Sequence, residues 1–148
     1  MNKQLSLWRI KIEIPQKSLA SFTIPVRITD INYGNHVGNN AIVEIIHEAR
    51  VQFLKQHGFT ELDAGGSGLI MSELLIEFKN ESFYNDVLEV TLFSGEISKK
   101  SFEFYYLITV LRNEKIITIA HAKTTMVSYI YVQKKISMLP EKLKSILA

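Results

Sequence analysis

Cysteine is absent from the 148 residues. That excludes disulfides, thiol nucleophiles and thiolate metal sites, and it fits a reducing compartment. No apolar run approaches the roughly 18 residues that a membrane-spanning helix needs. Arg9 and Lys11 interrupt the N-terminal stretch where a secretory leader would carry its apolar region. A cytoplasmic protein without a membrane partner is expected. Charge of one sign is also lacking: 17 Lys and Arg face 15 Asp and Glu, a net charge of +2, too balanced to argue for nucleic acid by itself. No low-complexity tract or solenoid-like repeat occurs. Gly65-Gly66-Ser67-Gly68 lacks the lysine that would make it a phosphate-cradling loop, which disfavours phosphoryl transfer. His36, His47, His57 and His121 have no zinc-site spacing, and no Gly-x-Ser-x-Gly elbow is present. Neither a metal nor a separate cofactor is expected.

What remains is a globular composition, 47% hydrophobic and 22% charged, in a chain long enough to bury roughly 68–70% of its unfolded surface in one core. A single domain over residues 1–148 is expected. Phe22, Ile24, Val26 and Ile28 alternate with Thr23, Pro25, Arg27 and Thr29, the period of a half-buried strand that carries Asp30 to its end. Pro25 places that strand at an edge or near a strand start. From Asn40 to His57 the period changes. Ile42, Ile45, Ile46, Ala49 and Phe53 form a helical stripe, Gly58 supplies a stop, and Val43, Val51 and Leu54 widen the stripe enough to predict a mostly enclosed helix. Glu44, His47, Glu48, Gln52 and Lys55 fall on its remaining side. Alternation returns in Ser72–Phe78, Leu88–Leu92, Phe102–Val110 and Ile116–Tyr131. The short links Asn80–Asp86, Gly95–Lys100 and Arg112–Lys115 predict four successive antiparallel neighbours. One helix followed by a meander gives an α+β domain whose sheet wraps the helix, with Pro140–Ala148 as a short terminal helix or tail.

Between the first strand and the helix runs Asp30-Ile31-Asn32-Tyr33-Gly34-Asn35-His36-Val37-Gly38-Asn39-Asn40. Asp30 and His36 move protons, asparagines orient water or a carbonyl, and glycines let backbone N–H groups approach a ligand. Chemistry is expected in this loop.

The order of these features resembles the hotdog-fold thioesterases of the 4-hydroxybenzoyl-CoA thioesterase-like superfamily. The resemblance runs along nearly the whole chain. It is carried by Thr29-Asp30, the Asn-Gly-His loop, His47-Glu48-Ala49-Arg50 on the helix, the glycine-rich break and the closing Leu139-Pro140-Glu141-Lys142-Leu143. Many relatives place the aspartate four positions before the histidine and two asparagines after the valine. Here Asp30 and His36 are six apart and Gly38 stands where the first asparagine would be. The resemblance implies a hotdog fold with an antiparallel sheet around one long central helix, and a homodimer that can pair into a tetramer. It also implies an acyl-CoA substrate whose thioester lies near the helix N-terminus.

Elementary electrostatics also places the carbonyl there, because the first amides of a helix lack intrahelical partners and sit at the positive end of its dipole. Gly38, Asn39 and Asn40 are thus candidates to stabilise the oxyanion of an attacked thioester. Asp30, Asn32, His36 and Asn39 are the candidate catalytic residues, with Asp30, or a helix carboxylate such as Glu44 or Glu48, as base. Tyr33, Gly34, Gly38, Asn40, Glu44 and Glu48 are the candidate substrate contacts. Two further readings stand beside hydrolysis: a hotdog enoyl-CoA hydratase or dehydratase, and a non-catalytic acyl-CoA-binding module.

Each residue also has a plainer role. Asp30 serves an Asx-turn, Asn39 or Asn40 an N-cap, His36 a loop carbonyl, and Gly34 and Gly38 the turn alone. Glu44 and Glu48, one helical turn apart, pair with Arg50 or Lys55. Lys99-Lys100 and Lys134-Lys135 either meet coenzyme A phosphates or stay solvated.

Overall fold

In the computed structural model residues 10–148 are described. The Met1–Arg9 stretch, on which part of the leader argument rested, lies outside them. Strand β1 (Ser18–Pro25) leads through a single 3-10 turn (Ile28–Asp30) and the polar loop into helix α1 (Asn39–Gln56). Five more strands follow: β2 (Gly68–Phe78), β3 (Val87–Ile97), β4 (Ser101–Arg112), β5 (Lys115–Ile130) and the short β6 (Lys135–Ile136). Helix α2 (Glu141–Leu147) closes the chain. All six strands form one antiparallel sheet in the order β1-β3-β4-β5-β2, with β6 on β5. This is the hotdog arrangement, a sheet wrapped around an 18-residue helix.

The period-2 residues of β4 make the centre of the core. Phe102, Phe104, Tyr106 and Ile108 are all fully buried, while the intervening residues are half-exposed. Phe104 meets Phe53 of α1 edge to face, with ring centroids 5.5 Å apart, and Phe102 at 5.0 Å. From α1, Ala41, Ile42, Ile45, Ile46, Ala49, Phe53 and Leu54 turn inward. Enclosure is less complete than the wide stripe predicts. Val43 is half-buried, Val51 is 39% exposed, and Glu44, His47, Glu48 and Lys55 leave one face of the helix open.

Several expectations about the elements need correction. β1 ends at Pro25 instead of running to Thr29. The Asp30 carboxylate accepts the Arg27 backbone N–H at 2.8 Å, which draws Ile28–Asp30 into a 3-10 turn, so Asp30 does not end a strand. The strands after α1 are not four successive neighbours either. β3, β4 and β5 form a meander, but β2 pairs with β5 on its far side. The link after β2 is therefore a crossover, not a hairpin turn. Lys79 donates its backbone N–H to Ile119 O at 2.8 Å and Asn80 its side-chain amide to Thr118 O at 2.8 Å. Finally, the residue at the N-cap is Gly38, in an extended conformation and with no side-chain cap, so neither Asn39 nor Asn40 caps the helix. β2 also begins earlier than its alternation suggests, and beyond the last predicted strand the chain folds back as the unpredicted β6.

Asp86 anchors the crossover. Its carboxylate accepts from Phe83 N–H at 2.9 Å, Ser82 Oγ at 3.1 Å and Arg112 Nη2 at 2.6 Å. Burial pushes its pKa up, but the Phe83 amide together with Arg112 and Ser82 outweighs this and holds it below the usual carboxylate range. Glu77 is also lowered, chiefly by its hydrogen bond to Lys79. A carboxyl whose folded pKa is depressed gives stability that is complete above the unfolded value and lost as pH falls through the folded one. Melting temperature is thus expected to hold from neutrality to about pH 5 and to fall steadily below about pH 4. Asp86→Asn should be less stable than the parent at pH 7 and show a shallower acid decline. Thermal melts across this range check both.

Candidate active site at the start of the central helix

The loop that delivers the helix is held from both sides. Asp30 O accepts the Gly38 N–H at 3.0 Å, Ser82 O accepts the Val37 N–H at 2.8 Å, and Ile31 and Val37 form an isolated bridge. Inside the loop His36 O accepts from Asn32 N at 2.9 Å, and Asn32 Oδ1 accepts from Gly34 N at 2.9 Å. Asn35 takes the left-handed turn position at φ 63°, which asparagine tolerates better than most residues. The result packs Asn32 against both glycines. A β-carbon on Gly34 would lie 3.2 Å from His36 Nε2 and 3.3 Å from Asn32 Oδ1, and one on Gly38 only 2.8 Å from Asn40 Oδ1.

At the helix start the amides of Ala41 and Ile42 both turn back to Gly38 O, at 3.0 and 3.3 Å. The N–H groups of Asn39 and Asn40 have no acceptor among the described residues. Gly38, a third expected donor, is unavailable because its amide is spent on Asp30 O. Asn39 lines a cleft of about 220 Å³ together with His36, Val37, Ile42, Phe78, Lys79, Asn80, Glu81, Ser82 and Ile119. His36 Nδ1 donates to Val37 O at 3.2 Å, since a carbonyl only accepts, and its Nε2 lies 4.0 Å from a Glu81 carboxylate oxygen.

Asp30 belongs to a different cleft, about 440 Å³ in volume, on the other side of the helix start with Arg27, Glu44, Glu48 and Val51. Its side chain is 2% exposed and takes Arg27 Nη2 at 3.0 Å and Arg27 Nε at 3.4 Å besides the Arg27 amide. The same pairing raises the Arg27 pKa through hydrogen bonding and charge. Glu44 sits 3.8 Å from Arg27, and Glu48 accepts from Gln52 at 2.8 Å. Arg50, expected near these carboxylates, points inward instead. It donates to Tyr106 Oη at 3.2 Å, lies 3.5 Å from Glu61, and Glu61 in turn meets His47. Burial pushes the Tyr106 phenol up, so it stays neutral between Arg50 and Thr124.

The structure therefore brings Asn32, His36, Gly34, Gly38, Asn39 and Asn40 around one helix start and puts Asp30, Glu44 and Glu48 across it. Tyr33 is fully exposed, and its side chain makes no hydrogen bond among the described residues. Lys99-Lys100 and Lys134-Lys135 both lie near the end of β5, where Lys100 O accepts Ser128 N, Lys99 O accepts Leu139 N and Lys135 pairs with Ile130. That is the sheet end away from the helix start. The basic residue beside His36 is Lys79, paired with Glu77 at 3.0 Å. Arg27, Lys79 and Glu81 are the residues sequence reading missed. Arg27 looked like the outward side of a strand, and Lys79 and Glu81 flank or fall in a link read as a plain turn.

Among the described residues no cluster of His, Cys, Asp and Glu is arranged to hold a metal, and no helix is long and apolar enough to cross a membrane. The fold is thus a hotdog sheet around a helix whose first residue, Asn39, lines a cleft of mixed polar and apolar side chains. The chain belongs to the thioesterase-like superfamily, whose model matches residues 26–147. In structure it is similar to the PA2801 protein from Pseudomonas aeruginosa, 20% identical over 89% of this chain and 100% of that one, with a TM-score of 0.80. It is also similar to a 1,4-dihydroxy-2-naphthoyl-CoA thioesterase from Synechocystis, 21% identical over 86% of this chain and 93% of that one, TM-score 0.76. A third is a Staphylococcus aureus protein solved in complex with CoA, 18% identical over 93% and 85% of the two chains, TM-score 0.77. At such identities the likeness is one of fold. No curated protein matches the sequence.

Proposed function

We propose that this protein is an acyl-CoA thioesterase that hydrolyses its substrate to a free acid and coenzyme A at the start of α1. The observation that carries the reading is the pair of unpartnered N–H groups of Asn39 and Asn40, at a helix N-terminus whose cleft also holds His36. Fixed donors at the positive end of a helix favour the charge that builds on the thioester oxygen as water attacks. The superfamily membership supports this reading. Asp30 serves by position: its carboxylate fixes Arg27 and its carbonyl fixes Gly38, so the loop and the first helical turn keep one geometry. His36, bound through Nδ1, turns Nε2 toward the cleft to orient water. Val37, Ile42, Phe78 and Ile119 give the acyl chain an apolar wall.

The working unit in this reading is a homodimer. β2 is an edge strand with Met71 and Phe78 about half-exposed, and the open face of α1 lies beside it across a cleft lined by Val43, His47, Ile70 and Met71. An unpaired edge next to an open helix face is the kind of surface a second copy covers.

Steady-state thiol release from short, long and aromatic acyl-CoA thioesters tests the activity. Saturable thiol release from at least one member is expected. Loss of enoyl-CoA absorbance without thiol release would replace hydrolysis by hydration, and saturable binding without turnover would leave only a binding module.

A further inference from the structure

We infer that Glu81 is the carboxylate that takes the proton from the attacking water, a step that rests on the thioesterase reading and refines its site. Sequence order points to Asp30 for this role, but geometry separates the two. Asp30 is 2% exposed, its oxygens already accept from Arg27, and it lines the cleft on the far side of the helix. Among the described residues Glu81 is the only carboxylate that lines the cleft shared with Asn39. Its side chain is 65% exposed, so it reaches solvent and substrate alike.

The neighbouring ring fixes how water sits. In the tautomer that donates from His36 Nδ1 to Val37 O, Nε2 carries a lone pair, and the Glu81 oxygen 4.0 Å away is an acceptor too. Two acceptors at that spacing have no hydrogen to share, and a water supplies one to each. Two bonds of about 2.8 Å meeting at the angle of a water molecule span roughly 4.4 Å, a small movement for an exposed glutamate. The water so held directs its remaining lone pairs away from both groups, free to attack a carbonyl.

Glu81 is itself held in place by its backbone. Ser82 O accepts from Val37 N at 2.8 Å, Glu81 O accepts from Arg112 Nη2 at 3.5 Å, and Asn80 is tied to Thr118. The crossover therefore keeps Glu81 in register with the loop that carries His36. As the water oxygen bonds to the thioester carbon, the carbonyl π pair moves to oxygen under the Asn39 and Asn40 amides, and one water proton passes to Glu81. Collapse of the tetrahedral species breaks the carbon–sulfur bond, and Glu81 returns the proton to the departing thiolate. Water and thioester become acid and thiol, with no co-reactant.

The test is Glu81→Gln assayed beside the parent enzyme with the best substrate of the panel. Being exposed, the substitution should leave melting temperature unchanged. The expected result is kcat lower by roughly 100- to 1,000-fold with KM little changed, while in a second variant, Glu81→Ala, added formate, a small carboxylate that enters the vacated space, partly restores turnover. Glu81→Gln turnover equal to the parent's overturns the assignment and leaves the thioesterase reading intact. A Glu81→Gln loss that appears in KM alone, or a Glu81→Ala loss that formate does not relieve, also overturns it. If the parent releases no thiol from any substrate, the thioesterase reading fails first and the assignment falls with it.

Discussion

Asn39→Pro is expected to lower kcat by roughly 100- to 1,000-fold, the loss associated with one oxyanion donor, while leaving thermal stability near that of the parent. The two halves of this expectation come from the same geometry. Asn39 is the first helical residue, and its N–H has no acceptor among the described residues, so proline removes no structural hydrogen bond. Proline is favoured at that position because its fixed φ already suits the helix. The residue before it must be extended, and Gly38 is, at φ −72° and ψ 156°. What proline takes away is the unpartnered donor of a residue that lines the cleft. Asn39→Ala keeps that amide and is the control. It should retain most activity if the backbone does the work, and lose as much as the proline variant if the side chain does. Kinetics on both variants, alongside thermal melts, separates catalysis from folding.

Phe104→Ala is expected to destabilise the protein by about 3–5 kcal/mol, a fall in melting temperature on the order of 10 °C for a chain of this size. Phe104 is fully buried and touches three rings, Phe53 on α1 and Phe102 and Tyr106 on its own strand. Because Phe53 lies on the helix that carries the site, the cavity left behind loosens α1 against its sheet. Phe104→Leu keeps most of the volume and should cost less than half as much. Denaturant titration of the three proteins, read with a common m-value, measures the difference. A shift below about 1 kcal/mol in the alanine variant would mean that the sheet collapses onto the helix without this ring.

The helix and the strands of the core were legible because burial imposes a period. Ile42, Ile45, Ile46, Ala49 and Phe53 all face inward, and so do Phe102, Phe104, Tyr106, Ile108 and Val110. Pairing was not legible in the same way. Nothing in the alternation of β2 says that it lies beyond β5, and that depends on Lys79 and Asn80 reaching Ile119. The site was legible as a loop but not as a geometry. Asp30 and His36 are near in sequence, yet a 3-10 turn and the helix start put them in separate clefts, while Glu81 comes close to His36 from a distant segment. Short-range spacing reports which residues travel together along the chain. It carries no information about a partner delivered by a crossover.

The central claim is that the start of α1 holds the oxygen of an acyl-CoA carbonyl. A crystal structure with a coenzyme A ketone analogue, in which a methylene separates the sulfur from the carbonyl and blocks hydrolysis, tests this most directly. The expected result is a carbonyl oxygen about 2.7–3.1 Å from the amide nitrogen of Asn39 or Asn40, with the side chains of His36 and Glu81 facing the same carbon. An analogue seated instead between Arg27 and Glu48, with its carbonyl turned away from the helix start, would contradict it.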